Sequence, residues 1–324
     1  MLAAAARCLL CACCICSIAS AGNSSAHDEQ TCAAVSRLFP LRTKGSGYDR
    51  IRARSWHYPT RAELLADLYG NATADPYGSY APFRRDAVDF NGRTFDESHK
   101  WRNIYPSNAQ VSQAVIKDRV RAALGLSSKE APRLVVEVGS FIGSGAVNVW
   151  GRWLLNHGDG KSALLCVDTW QGTVAMRLGS HNEILRFEGG FPTLGNLFMR
   201  RVLTDNVQSV IYPLALPSIE AARLLHELGY AVDVIYLDSA HELGLTLVEL
   251  HLYYQLLQPG GVLLGDDFHS KMSAVVHDVT LFAKCHNLRI ERFGASGSQW
   301  IVQKPNQTMT RVVHGPTNNN NLPE

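Results

Sequence analysis

From Leu134 to Gln303 the sequence alternates short apolar runs with longer stretches of helical periodicity. The runs LVVEV (Leu134–Val138), ALLCVD (Ala163–Asp168), SVIYPL (Ser209–Leu214), VDVIYL (Val232–Leu237) and Val262–Gly265 leave almost no polar face. Strands of that kind are buried on both sides, with helices supplying the cover. Helical stretches fall at Gln110–Leu124, stopped by Gly125, and at Ser144–Leu155, Leu194–Thr204 and Ser218–Leu228. In Glu242–Leu257, Leu243, Leu247, Leu250, Tyr254 and Leu257 recur at helical spacing, which predicts an amphipathic helix. Leu288–Phe293 and Gln299–Gln303 flank a Gly/Ser turn and read as a closing antiparallel hairpin. The expectation is an α/β protein: a mostly parallel seven-stranded sheet with helices on both faces.

The rest of the 324-residue chain is less regular. Residues 22–103, rich in Tyr, Arg, Pro and Gly, read as an irregular N-terminal extension that packs on the main domain, 104–305. Its helical stretch is Arg61–Tyr69, with Thr60 as N-cap and Glu63 at the capping-box position. Residues 306–324 form a polar tail expected to be disordered. Residues 1–21 resemble a cleaved signal peptide: Arg7, an apolar stretch from Cys8 to Ile18, then Ala19-Ser20-Ala21. That directs the chain to the secretory pathway, either the ER/Golgi lumen or the exterior; an uncleaved membrane anchor and an organelle transit peptide are the alternatives. Sequons at Asn23, Asn71 and Asn306 make a glycoprotein the matching expectation.

Five of the eight cysteines lie in the leader. Cys166 falls inside an expected buried strand, which leaves Cys32–Cys285 as the candidate disulfide. A net charge of +2, from 31 basic and 29 acidic side chains, argues against a nucleic-acid partner. Beyond the leader no run approaches the roughly 18 apolar residues of a membrane span, so none is expected after cleavage.

In open α/β sheets, ligands bind beyond the carboxyl ends of the strands. After the first strand comes Gly139-Ser140-Phe141-Ile142-Gly143-Ser144-Gly145, a turn with three residues that lack Cβ atoms, at a helix N-terminus. Its spacing differs from the G-x-G-x-x-G of dinucleotide sites. A tight strand-to-helix turn is the plainer reading. The second strand ends at Asp168, where a carboxylate can accept both hydroxyls of a ribose.

Glu137-Val138-Gly139-Ser140-Phe141-Ile142-Gly143 and Cys166-Val167-Asp168-Thr169-Trp170-Gln171-Gly172 resemble the cofactor motifs of class I S-adenosylmethionine (SAM)-dependent methyltransferases. Tyr236-Leu237-Asp238-Ser239-Ala240-His241 and the run from Gln258 to Phe268, which contains Asp266-Asp267, are similar to the fourth and fifth strand ends of that fold. The nearest branch includes the macrocin-type O-methyltransferases. The resemblance covers about Gln110–Lys304 and implies a Rossmann-like fold with SAM as cofactor. It implies that Glu137 and Gly139 lie beside the methionine part of SAM, with Gly143 giving backbone access and Ser140 also binding the cofactor, that Asp168 holds the ribose, and that Trp170 lies against the adenine or walls the pocket. Ser218 falls at an adenine-contact position and is equally a helix N-cap.

Asp238, Asp266 and Asp267 would then stand at the tips of adjacent strands. Three carboxylates so close need a cation or protons, and oxygen ligands suit Mg²⁺. The metal would acidify an acceptor hydroxyl, with His241 as general base beside Asp238 and His269 as a further ligand. The alternative is that one aspartate caps a helix and another pairs with Arg or Lys. The function so implied is methyl transfer to a hydroxyl of a small or glycosidic acceptor. The competing functions are a non-catalytic secreted binding protein on a methyltransferase scaffold and a nucleotide-sugar or NAD-binding oxidoreductase.

Overall fold

The apolar runs form strands β1 (Leu134–Val138), β2 (Ala163–Val167), β5 (Ile211–Leu214), β6 (Val232–Leu237) and β7 (Leu257–Gly265). β8 (Glu291–Phe293) and β9 (Gln299–Gln303) follow, and a two-stranded hairpin, β3 (Phe187–Glu188) with β4 (Phe191–Pro192), interrupts the series after β2. The computed structural model describes residues 24–39, 55–78, 108–174, 176, 178, 187–188, 190–239, 241–294 and 297–306. The leader, the sequon at Asn23 and the tail beyond 306 lie outside the described residues, whereas Asn71 and Asn306 are exposed.

The sheet runs β5-β2-β1-β6-β7-β9-β8, parallel through β7 and antiparallel over the last two strands. This is the expected mostly parallel seven-stranded sheet with its hairpin at one edge. Period-two geometry sends Leu134, Val136 and Val138 of β1 into one apolar core and Val135 into the other. Both faces are therefore covered.

The helices are α1 (Ser24–Leu38), α2 (Arg61–Tyr69), α3 (Asn108–Leu124), α4 (Arg152–His157, entered through a π-helical turn at Ala146–Gly151), α5 (Leu194–Thr204), α6 (Ser218–Leu228), α7 (Leu245–Leu256) and α8 (Ser273–Cys285). The capping box of Thr60 and Glu63 on α2 is present as expected.

Three expectations need correction. The helix expected from Glu242 begins at Leu245 and is not amphipathic: Thr246 through Tyr253 are all buried. Helices α1, α6 and α8 pack on α7 from the sides that periodicity leaves to water. The N-terminal extension is also more regular than its sequence suggests, because α1 spans Ser24–Leu38. Its own apolar content is small, and it is fixed by tertiary contacts: Cys32 is disulfide-bonded to Cys285 of α8, Val35 enters the core, and Asp28 pairs with Lys284. Finally, Ser218 is the first residue of α6 and not its cap; Pro217 holds that position without a side-chain bond.

The segment 55–78 covers the β5 edge. The hydroxyls of Tyr69 and Tyr77 donate to the carbonyls of Pro213 and Ile211 at 2.8 and 2.9 Å, which satisfies acceptors an edge strand leaves open. At the opposite end of the strands, buried Asp233 accepts from the Tyr58 hydroxyl, the Gln258 amide and the backbone N–H groups of Arg133 and Leu134.

Candidate cofactor and acceptor site

The carboxyl ends of β1, β2 and β6 meet at the centre of the sheet. Beyond them the chain leaves β1 toward one side and β6 toward the other, which opens a crevice. Gly139 has φ +89°, and a Cβ built on it would stand 1.9 Å from the Asp238 carbonyl oxygen. Only glycine fits there, so the turn can pass flat across the end of β6. Gly143 (φ +81°) donates its N–H to the Ser140 carbonyl at 2.8 Å and closes the turn over Phe198.

Glu137 is buried beneath this turn. A Cβ on Gly145 would lie 2.2 Å from its Oε1, so the missing side chain makes room for the carboxyl group. Burial pushes its pKa up to about 8, against the pull of the Ser140 hydroxyl and the Ala146 N–H, which favour the ionised form. Glu137 thus supports the turn from below and does not open into the crevice. Ser140 is buried with it.

Asp168 at the end of β2 accepts the Phe141 N–H on Oδ2 at 2.8 Å and the Trp170 N–H on Oδ1 at 2.7 Å. Each oxygen retains a lone-pair direction for a hydroxyl donor. Burial raises its pKa, while the N–H bonds of Trp170, Phe141 and Thr169 oppose the rise. The Trp170 indole donates to the Phe141 carbonyl at 2.7 Å, and its ring rests on Phe198 with centroids 4.9 Å apart, so it walls the pocket. Among the described residues six non-glycine residues have positive φ, and Phe141, Trp170 and Asp267 of these border the crevice. Strain so placed is characteristic of binding sites. Ser218 lies farther along the same edge, beyond the end of β5, where its carbonyl accepts the Tyr253 hydroxyl at 2.9 Å.

On the other side, His241 Nε2 lies 3.4 Å from Asp238 Oδ1 and 3.2 Å from Asp267 Oδ2. One ligand atom from each of the three falls within 4.8 Å of the others. His269 Nε2 joins from 3.3 Å on Asp267 Oδ1. The hydrogen bond to Asp238 is the largest of the effects that raise the His241 pKa. Asp266, expected beside Asp238 and Asp267, lies outside this group of three ligand atoms. Its Oδ1 accepts the Ser298 hydroxyl at 2.9 Å and the Asp267 N–H at 2.8 Å, turned toward the β8–β9 hairpin.

A family model described as a methyltransferase domain matches residues 136–268, a span that holds the glycine turn, Asp168, Asp238, His241 and Asp267 and ends just before His269. The sheet and this span together have the fold of a Rossmann-like methyltransferase domain. Among solved structures it is similar to the calicheamicin methyltransferase CalS11, at 12% identity over 73% of this chain and 96% of that one, TM-score 0.46. It is also similar to an O-methyltransferase from Bacillus cereus in complex with SAH, at 12% identity over 75% and 96% of the two chains, TM-score 0.42. No curated protein matches the sequence.

The crevice also has residues that sequence patterns did not single out. Glu249 of α7 is buried and accepts the Ser239 hydroxyl at 2.6 Å, a hydrogen bond that holds the residue beside Asp238. Phe198 supports both Gly143 and Trp170. Each looks like an ordinary helix residue in sequence, and only the sheet order brings it to the crevice.

The residues present fit both groups that such a site implies. The turn from Gly139 to Gly145 and the Asp168 carboxylate suit a nucleoside with a small zwitterionic tail. Two carboxylates and an imidazole, converging at Asp238, Asp267 and His241, suit a divalent cation.

Proposed function

We propose that the chain is an O-methyltransferase, of the branch that includes the macrocin-type enzymes, acting on a hydroxyl of a small or glycosidic acceptor in the secretory pathway. The observation that carries this reading is the placement of His241 between Asp238 and Asp267, one strand away from the glycine turn. SAM, when bound, supplies a methyl group on a positively charged sulfur. Gly139, Gly143 and Asp168 would hold its methionine and ribose parts, and Trp170 closes the side of the pocket.

His241 takes the proton of the acceptor hydroxyl at an imidazole nitrogen. Asp238 and Asp267 then stabilise the imidazolium. With SAM bound, methyl transfer to the acceptor oxygen would leave neutral S-adenosylhomocysteine, and the proton held on His241 would carry the positive charge. Where Mg²⁺ is used, Asp238, Asp267 and His241 or His269 are the residues that would hold it, and it would acidify the hydroxyl.

The localisation is supported by Cys32–Cys285, because stable disulfides belong mainly to oxidising compartments. The test is transfer of labelled methyl from SAM to a panel of phenolic and glycosidic hydroxyl compounds, with and without Mg²⁺. His241→Ala should lower turnover about a hundredfold or more with SAM affinity retained. Full turnover in that variant would reject His241 as the base.

A further inference from the structure

Among the described residues, eight large apolar side chains stand exposed, and six of them lie on two connections. Val174, Leu178, Phe187 and Phe191 lie between β2 and α5; Leu243 and Leu245 lie at the junction of β6 and α7. Scattered exposed leucines are ordinary, but their concentration at one edge is not. Both connections leave the carboxyl edge of the sheet, and β2 and β6 are the two neighbours of β1. At the usual strand spacing, their ends stand about 10 Å apart with the glycine turn between them. Farther along the first connection, Gly195 of α5 packs against the ring of Trp170. Leu243 follows His241 by two residues and is 42% exposed, and Phe191 is 73% exposed. The apolar surface therefore borders the crevice on both sides.

Resting on the methyltransferase reading above, we infer that this rim holds the body of the methyl acceptor, and that the acceptor is an uncharged amphiphile. Its hydroxyl is presented at His241, and its apolar body lies against Phe191 and Leu243. Continuity with the crevice favours this occupant, because both patches adjoin residues that bind or react. Exposed Glu242 beside Leu243 disfavours a body that carries phosphates, and for the same reason it disfavours an anionic membrane surface, which calls for Lys and Arg around the apolar residues.

The test uses alkyl β-D-glucosides with methyl, hexyl and octyl chains, all below their micelle concentrations. Each is titrated calorimetrically into the full chain saturated with S-adenosylhomocysteine, which prevents turnover. Affinity should rise with chain length, by up to about fourfold for each methylene buried. The double variant Phe191→Ser, Leu243→Ser should flatten that dependence to less than twofold overall while S-adenosylhomocysteine still binds. Affinities independent of chain length, or no binding of any glucoside, overturn the inference and leave the cofactor reading standing. So does sedimentation with phosphatidylcholine vesicles, or a dimer, that the double variant abolishes. Failure of the wild-type chain to bind S-adenosylhomocysteine at all would defeat both.

Discussion

Gly139 and the Asp238 carbonyl touch across the ends of β1 and β6: a Cβ on the glycine would stand 1.9 Å from that oxygen. This contact fixes the distance between the cofactor turn and the His241 cluster, so the two halves of the crevice share one backbone approach. Alanine at 139 meets both the collision and an unfavourable φ of +89°. Gly139→Ala should therefore cost about 3 kcal/mol of stability and reduce SAM affinity in whatever fraction folds. A denaturation midpoint equal to that of the wild type would show that the two strand ends can move apart.

The buried carboxyl of Glu137 predicts a pH dependence with a definite sign. Its pKa is about 8 in the folded chain against an ordinary 4.5. Between those values the folded protein keeps a proton that the unfolded chain has lost, so this group makes stability fall as pH rises through the window. Glu137→Gln keeps an oxygen for the Ala146 N–H and removes the titration. Denaturant unfolding at pH 5 and pH 8 should show a smaller difference for the variant; an unchanged difference would mean that Glu137 is ionised in its pocket.

Cys32 and Cys285, 253 positions apart with Cα atoms 5.9 Å from each other, tie α1 to α8. Chain-entropy arguments give a closed loop of that length about 5 kcal/mol of stabilisation. Reduction should lower the melting temperature by roughly 10 °C or more, and Cys32→Ser should melt at the reduced value with or without reductant. A melting temperature insensitive to reductant in the wild type would assign α1 no part in stability.

The parallel strands and the glycine turn were legible because each strand is a short apolar run and the chemistry follows directly after it. Asp168, Asp238, His241 and Asp267 could be placed in this way before any coordinates. Side-chain direction could not. Asp266 and Asp267 are neighbours in sequence, yet the positive φ at Asp267 turns one toward His241 and the other toward Ser298. Helix α1 was missed because its stability comes from Cys285 and the core and not from its own residues. The full burial of α7 was missed for the same reason, since the helices that cover it are remote in sequence.

The central claim is that SAM binds between the glycine turn and Asp168, and calorimetric titration of the chain with SAM tests it most directly. The wild type should bind one equivalent. Asp168→Ala should weaken binding by about 2–3 kcal/mol, through loss of the ribose acceptors and of the bonds that order Phe141 and Trp170. Absence of binding in the wild type, or equal affinity in a folded Asp168→Ala chain, would contradict it.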